Sequence, residues 1–206
     1  MSNSKQSWGR YPWGDDDLRA LVNGHVFLIM GPSGSGKTTI AKDLRDRLGF
    51  KMLDSYTTRP PRHEGEQGHI FVSNKEFDTL CDLVGYTVYD RYRYGATATQ
   101  IENNDIYVID PDGYKFFKAH YKGCKDARVI GIWTGEEQRK VRMQQRGDRQ
   151  PDILRRLRGD MALKELESLC DIVVVNDVYT DAIRAVLQYI FLKNLQDQGF
   201  LSKKHI

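Results

Sequence analysis

Apolar residues change their spacing from segment to segment along the chain, and those changes mark out elements. His25–Met30 is a short, mainly apolar run ending at Gly31-Pro32, the pattern of a strand buried on both faces. Over Thr38–Leu48 the apolar positions are Ile40, Ala41, Leu44 and Leu48, a helical stripe that stops at Gly49. Phe50–Asp54 predicts a second strand, and Asp105–Asp110 another, with a helix starting near Pro111. Ala127–Trp133 predicts a strand and Glu136–Arg146 a helix. Pro151 suits the first turn of a further helix running to Leu169. Asp171–Val175 and Tyr179–Leu195 predict a last strand and a last helix. Strands alternating with helices of this length imply an α/β fold, a parallel sheet flanked by helices.

Two stretches break the alternation. Residues 1–24 carry Trp8, Tyr11, Trp13 and the run Asp15-Asp16-Asp17 with neither period, and read as an N-terminal arm. Its aromatics pack on the domain or on a second copy, which leaves a homo-oligomer open. Residues 56–100 are turn-rich and crowded with Tyr, Arg and Gly, the composition of a small insert. The expected organisation is one domain over 25–196, with a core of 25–55 and 101–196 around that insert, and a tail over 197–206.

Composition narrows the class. Hydrophobic residues make up 40% of the 206 positions and aromatic residues 11%, ample for a packed core. The net charge of +3 excludes a polybasic nucleic-acid clamp. No apolar run approaches the roughly 18 residues that cross a bilayer, and the start lacks the apolar centre of a secretory signal. The expectation is a cytoplasmic protein without membrane contact. Cys81, Cys124 and Cys170 are odd in number and far apart, matching neither a disulfide framework nor a metal cluster, and predict buried, reduced thiols.

The first candidate chemistry follows the first strand. Gly31-Pro32-Ser33-Gly34-Ser35-Gly36-Lys37-Thr38 fits G-x-x-x-x-G-K-[ST], with Thr39 next, and it opens a helix. Its glycines let backbone N–H groups turn inward around phosphate oxygens at a helix N-terminus already favourable to anions. Lys37 adds a mobile positive charge for the outer phosphates, and the Thr38 hydroxyl is placed to ligate Mg²⁺. An ATP-type site is the expectation.

Arginines supply the second. Between Arg139 and Arg158, eight basic residues face only Asp148 and Asp152. Arg142 and Arg146 stand four apart on one predicted helix face, where like charges repel by a few tenths of a kcal/mol. An anion between them relieves that repulsion. Gly147 and Pro151 interrupt the helix, so residues 146–152 are expected to close as a lid. A solvated basic face is the bland alternative, but phosphoryl transfer needs such arginines to neutralise the moving charge. Earlier, Ser55-Tyr-Thr-Thr-Arg59-Pro-Pro-Arg62 holds two arginines at a spacing stiffened by proline, as a grip on a phosphate dianion requires.

These pieces together resemble the guanylate kinase family of P-loop nucleoside monophosphate kinases, over about residues 25–190. The phosphate loop and Ser55-x-Thr-Thr-Arg59-x-x-Arg62 are followed by Gly65-Glu66, Phe71-Val72-Ser73, Tyr94-Gly95 and Ile109-Asp110-x-x-Gly113. Arg142-x-x-x-Arg146-Gly147, Ile153-x-x-Arg156-Leu157 and Asp171-Ile-Val-Val-Val-Asn176-Asp177 complete the set. The resemblance implies that Ser55, Arg59, Arg62 and Tyr94 hold the acceptor phosphate. Lys37, Arg142, Arg146 and Arg156 would stabilise the transferring phosphoryl, Arg146 and Asn176 would lie near the donor base, and Asp110 would hold Mg²⁺-bound water or a substrate group. The implied activity is transfer of the γ-phosphoryl of ATP, with Mg²⁺, to a nucleoside monophosphate, GMP or dGMP by default.

The sequence departs from the family pattern on the acceptor side. Gly-Glu-x-x-Gly-x-Asp-Tyr-x-Phe is shortened to Gly65-Glu66-Gln-Gly68-His69-Ile70-Phe71, so His69 stands where a phosphate-binding Tyr is expected. The guanine-reading Glu before Tyr-Gly-Thr has no counterpart: the expected positions hold residues such as Gly85 or Val88, and Asp90 is the one acid between Leu83 and Arg93. The Tyr-Gly-Thr motif itself reads Tyr94-Gly95-Ala96-Thr97. Asp90 and Thr97 are therefore candidate substrate residues, and another acceptor, a different nucleoside monophosphate or a sugar phosphate such as ribose 1,5-bisphosphate, is the alternative. A protein-binding module of the same fold that has lost catalysis is the alternative outside enzymes, but Lys37, Thr38, Arg59, Arg146 and Arg156 are all retained.

Overall fold

The computed structural model describes residues 22–62, 64–197 and 199, so nearly all of the expected arm and tail lies outside the described residues. The elements begin with β1 (His25–Met30), α1 (Lys37–Leu48), β2 (Ser55–Thr57), β3 (His69–Phe71) and α2 (Asn74–Asp78). Next come β4 (Leu83–Tyr89), β5 (Tyr92–Thr97), α3 (Ala98–Asn103), β6 (Ile106–Val108), α4 (Pro111–His120) and β7 (Asp126–Trp133). The chain continues through α5 (Glu136–Gln145), α6 (Gln150–Gly159), α7 (Leu163–Leu169), β8 (Ile172–Val175) and α8 (Tyr179–Asp197).

Every residue of β1 is buried, because it sits inside a parallel sheet of order β6-β1-β7-β8 covered on both faces. Phe27 and Ile29 point to one face, packed on Ile40 and Leu44 of α1 and Val186 and Ile190 of α8. Val26, Leu28 and Met30 point to the other, packed on Phe117 of α4 and Leu166 of α7. Each of these large side chains contributes about 1.5–3 kcal/mol by leaving water, so the strand that carries the phosphate loop is fixed from both sides.

A second sheet, of order β3-β2-β5-β4, stands beside the first. β2 pairs in parallel with β3 and antiparallel with β5, and β4 and β5 form a hairpin. The register Ser55↔His69, Thr57↔Phe71, Thr57↔Tyr94 and Thr87↔Tyr94 places those side chains on one face of this sheet. Val84 and Ala96 join the core beneath Leu28 and Met30, which locks the second sheet to the first.

Several expectations are corrected. Phe50–Asp54 is not a strand: Met52 alone bridges Ile106, and the strand proper starts at Ser55 and belongs to the second sheet. The strand expected over Asp105–Asp110 is only Ile106–Val108. Asp105 turns its carboxylate to the Lys51 amide (2.8 Å), and Asp110 becomes the N-cap of α4. The long helix expected to reach Leu169 splits into α6 and α7, because Asp160 leaves the helix in an extended conformation to reach the phosphate loop. The cysteines are free, yet Cys81 and Cys124 are exposed and Cys170 is only partly buried. No helix among the described residues is long and apolar enough to cross a membrane.

Candidate active site

The loop between β1 and α1 is held from below by one carbonyl. Ser35 O accepts from Asn176 Nδ2 (2.7 Å), Arg142 Nη1 (3.3 Å) and Thr134 Oγ1 (3.3 Å). A side chain on Gly36 (φ 99) would strike the Asn176 amide, and one on Gly31 would strike the Ile132 carbonyl, so the close fit demands glycine at both. From the other side, Ser33 N–H donates to Asp160 Oδ1 at 3.0 Å. α1 has no side-chain cap, whereas Ser73 caps α2 and Thr97 caps α3 with a reciprocal Glu or Gln. The first-turn amides of α1 thus stay available to an anion. Lys37 folds back over this loop and donates to Gly31 O (2.7 Å) and Pro32 O (2.8 Å). Burial lowers its amine from 10.5 to about 8, partly offset by Asp160. Thr38 and Thr39 are exposed at the start of α1.

The arginines of α5 and α6 divide their work. Arg142 is committed to the floor of the loop, donating also to Asn176 O (2.7 Å) and Thr134 Oγ1 (3.2 Å). Arg146, the C-cap of α5, and Arg156 of α6 share Asp148: Arg146 binds it through Nε (2.9 Å) and Nη2, and Arg156 through Nη1 (3.4 Å). The Arg146 hydrogen bonds hold the Asp148 carboxyl below its ordinary value. Burial lowers Arg62, and the positive fields of Arg59, Arg156 and Arg146 lower it further, which puts Arg62 in one electrostatic cluster with Arg146 and Arg156. Arg146 also acts on Lys37, so the cluster adjoins the phosphate loop.

On the acceptor side, Ser55 Oγ and His69 Nδ1 lie 3.0 Å apart, and the Tyr94 ring stands edge-on to His69 with centroids 5.7 Å apart. Burial and the Arg59 charge lower the His69 pKa, which keeps the ring neutral near pH 7. Arg59 is 8% exposed and grips Glu66 with a two-pronged ion pair, Nη2 to Oε1 at 2.8 Å and Nη1 to Oε2 at 3.1 Å. The Arg62 amide donates to the same Glu66 carboxylate at 2.6 Å. Asp110 Oδ1 accepts from the amides of Asp112 (3.0 Å) and Gly113 (2.9 Å).

Comparison with known proteins bears on this geometry directly. The family model described as guanylate kinase matches residues 23–193. The chain belongs to the guanylate kinase family. A guanylate kinase of Neisseria meningitidis serogroup A is 30% identical over 207 residues, covering 90% of this chain and 97% of the relative. One of Fusobacterium nucleatum is 26% identical over 180 residues, covering 81% and 96%. The crystal structure of guanylate kinase from Anaplasma phagocytophilum superposes with a TM-score of 0.59 at 19% identity, covering 84% of this chain and 87% of that one. That likeness shows the fold, and membership of the family makes this chain an enzyme, a nucleoside monophosphate kinase. These relatives give no support to a sugar-phosphate acceptor or to a non-catalytic binding module.

Three expected site residues have structural partners within the chain. Asp90 lies at the tip of the β4–β5 hairpin and pairs with Arg155. Thr97 spends its hydroxyl on the Gln100 amide as the N-cap of α3. Asn176 is 2% exposed beneath the phosphate loop and serves as its support. For Mg²⁺, the exposed Thr38 hydroxyl fits a cation that keeps waters and substrate phosphates as its other ligands. Asp110 Oδ1 is committed to two amides, which leaves Oδ2 for a substrate group or a metal-bound water. Asp148, Asp160, Thr134 and Glu66 all hydrogen-bond candidate site residues or the phosphate loop, and the sequence assigned them no role. The surplus of arginines was the available signal, since buried guanidinium groups demand acids.

Proposed function

We propose that the chain moves the γ-phosphoryl of ATP, with Mg²⁺, onto GMP or dGMP. The observation that carries this reading is that Arg146 and Arg156 share Asp148, with Arg62 in their field and Lys37 in that of Arg146. A phosphate bound at each end would bring the reacting oxygens into that positive field, which is what in-line transfer requires. The amides of the loop and Lys37 hold the donor phosphates, and Thr38 holds Mg²⁺, which supplies further charge neutralisation. Ser55, His69, Tyr94 and Arg62 hold the acceptor phosphate, with Arg59 fixing the frame. Residues 56–100 form the acceptor site and residues 146–152 close over it as a lid.

ATP consumption measured against GMP, dGMP, AMP, CMP, UMP, dTMP and ribose 1,5-bisphosphate tests the reading. Turnover with GMP and dGMP is expected, with loss of several orders of magnitude in a folded Lys37→Ala variant. Turnover confined to another acceptor, or a near-normal rate in Lys37→Ala, overturns it.

A further inference from the structure

One residue of the phosphate loop is held at both of its backbone polar groups. Ser33 N–H donates to Asp160 Oδ1 at 3.0 Å, and Ser33 O accepts from Arg139 Nη1 at 3.4 Å. The same Arg139 Nη1 donates to Asp160 Oδ2 at 2.6 Å, so the carboxylate, the guanidinium and Ser33 close a ring. The backbone of Arg139 packs on the next residue of the loop: a Cβ built on Gly34 would lie 2.8 Å from the Arg139 carbonyl oxygen. The guanidinium itself stands 5.9 Å from the Trp133 ring at the end of β7.

This ion pair is buried, with side chains 4% and 13% exposed. Burial of such a pair is weak ground for stability, since well-packed apolar residues of similar volume often hold a fold as well. Apolar residues could not accept from the Ser33 amide or donate to its carbonyl, and that is what these two groups do. Their place in the chain adds a second connection. Asp160 ends α6 as its C-cap, in an extended conformation, four residues after Arg156. Arg156 reaches Asp148 beside Arg146. One carboxylate thus joins the helix that carries Arg156 to the loop that leads into Lys37.

We propose that Asp160, together with Arg139, is a positioning residue for the donor phosphates: it sets the phosphate loop through Ser33 and holds α6, and with it Arg156, on that loop. This rests on the proposed ATP site. Neither side chain touches the nucleotide in this role. The ring engages Ser33 and leaves the uncapped first turn of α1 to the ligand. A loop already held in its binding shape loses less freedom when ATP arrives, which favours affinity. With α6 anchored one turn from Arg156, the guanidinium is placed by the same loop that holds the phosphates, and such placement governs the rate of transfer.

Calorimetry of ATP binding and steady-state kinetics with GMP, on the full chain and on two double variants, test the proposal. Either single change would leave a buried charge alone, at a cost to the fold. Asp160→Ala with Arg139→Met removes both charges, and its thermal transition checks that it folds. It should weaken ATP binding by about tenfold or more and lower kcat by about 10–100-fold, with the KM for GMP unaltered. Asp160→Asn with Arg139→Met returns an oxygen to the Ser33 amide and should recover most of the lost ATP affinity. A merely structural pair would lower the thermal transition in both doubles and leave ATP affinity unchanged, and that result overturns the proposal. An equal loss of affinity in the two doubles overturns it as well. Calorimetry needs no acceptor, so failure of the full chain to turn over GMP overturns the acceptor reading alone. Absence of ATP binding by the full chain overturns the donor reading and this proposal with it.

Discussion

Arg155 of α6 reaches Asp90 at the tip of the β4–β5 hairpin, Nη1 to Oδ1 at 2.9 Å, with its guanidinium 5.9 Å from the Tyr89 ring. The pair ties the acceptor sheet to the helix that follows the lid. Asp90 (φ 51) and Arg91 (φ 66) are both left-handed, a conformation that costs a non-glycine residue about 1 kcal/mol or more. Both charged side chains are nearly half exposed, so the pair adds at most about 1 kcal/mol to stability. Its expected effect is on the proposed closure of residues 146–152. Asp90→Asn should leave thermal stability nearly unchanged and raise the acceptor KM several-fold, with the KM for ATP unaltered. Equal acceptor KM values in the two proteins would remove the pair from the mechanism.

Asp148 occupies the two arginines, Arg146 and Arg156, proposed to meet the transferring phosphoryl. Arg146 and Arg156 both bind it, and the charge of Arg62 acts on it as well. Phosphate oxygens must compete with this carboxylate for the same donors. Asp148→Asn keeps the size of the side chain and weakens the competition. ATP should bind the variant several-fold more tightly by calorimetry, and the gain should shrink as salt is added. Weaker ATP binding in Asp148→Asn would mean that the acid orients the arginines for the nucleotide.

The parallel sheet and the phosphate loop were legible in the sequence, because a strand buried on both faces is a continuous apolar run and the loop has fixed glycine positions. The resemblance set Ser55, Tyr94 and the place of His69 on the acceptor phosphate, and the pairing of β2 with β3 and β5 brings the three to one face. What stayed hidden depended on long-range register. Nothing local to Tyr107 signals that its hydroxyl fills the space over Gly85, 22 residues away. Asp160 reads as a polar residue inside a helix until the phosphate loop 127 residues earlier claims its carboxylate. Asp90 was picked as the one acid in its stretch, and the turn that it forms points it at Arg155 instead.

The Arg59–Glu66 pair sets an acid limit on stability. Burial favours the protonated form of Glu66, but the Arg59 hydrogen bonds and the Arg62 amide outweigh it and hold the carboxyl at about 2, against an ordinary 4.5. A carboxyl with a lowered folded pKa contributes stability that is complete above 4.5 and lost as pH falls toward 2. Both side chains are about nine-tenths buried, so breaking the pair should cost about 3 kcal/mol at pH 7. Urea unfolding of Glu66→Gln should show that loss at pH 7, and the two proteins should converge near pH 2. A constant difference across the acid range would assign the loss to packing.

Lys37 makes nucleotide binding take up a proton. In the folded chain burial holds its amine at about 8, below the 10.5 of an exposed lysine. Between those values the unfolded chain binds more protons, so the stability of the nucleotide-free protein rises with pH across that window on account of this group. Phosphate oxygens placed beside the amine favour its charged form and restore the higher pKa. Near pH 9, therefore, ATP binding should be accompanied by uptake of up to about one proton, and near pH 6.5 by almost none. Calorimetry in two buffers of different ionisation enthalpy reads this number directly. Uptake that persists in Lys37→Met at pH 9 would place the proton on another group; its loss in that variant would put Lys37 against the bound phosphates.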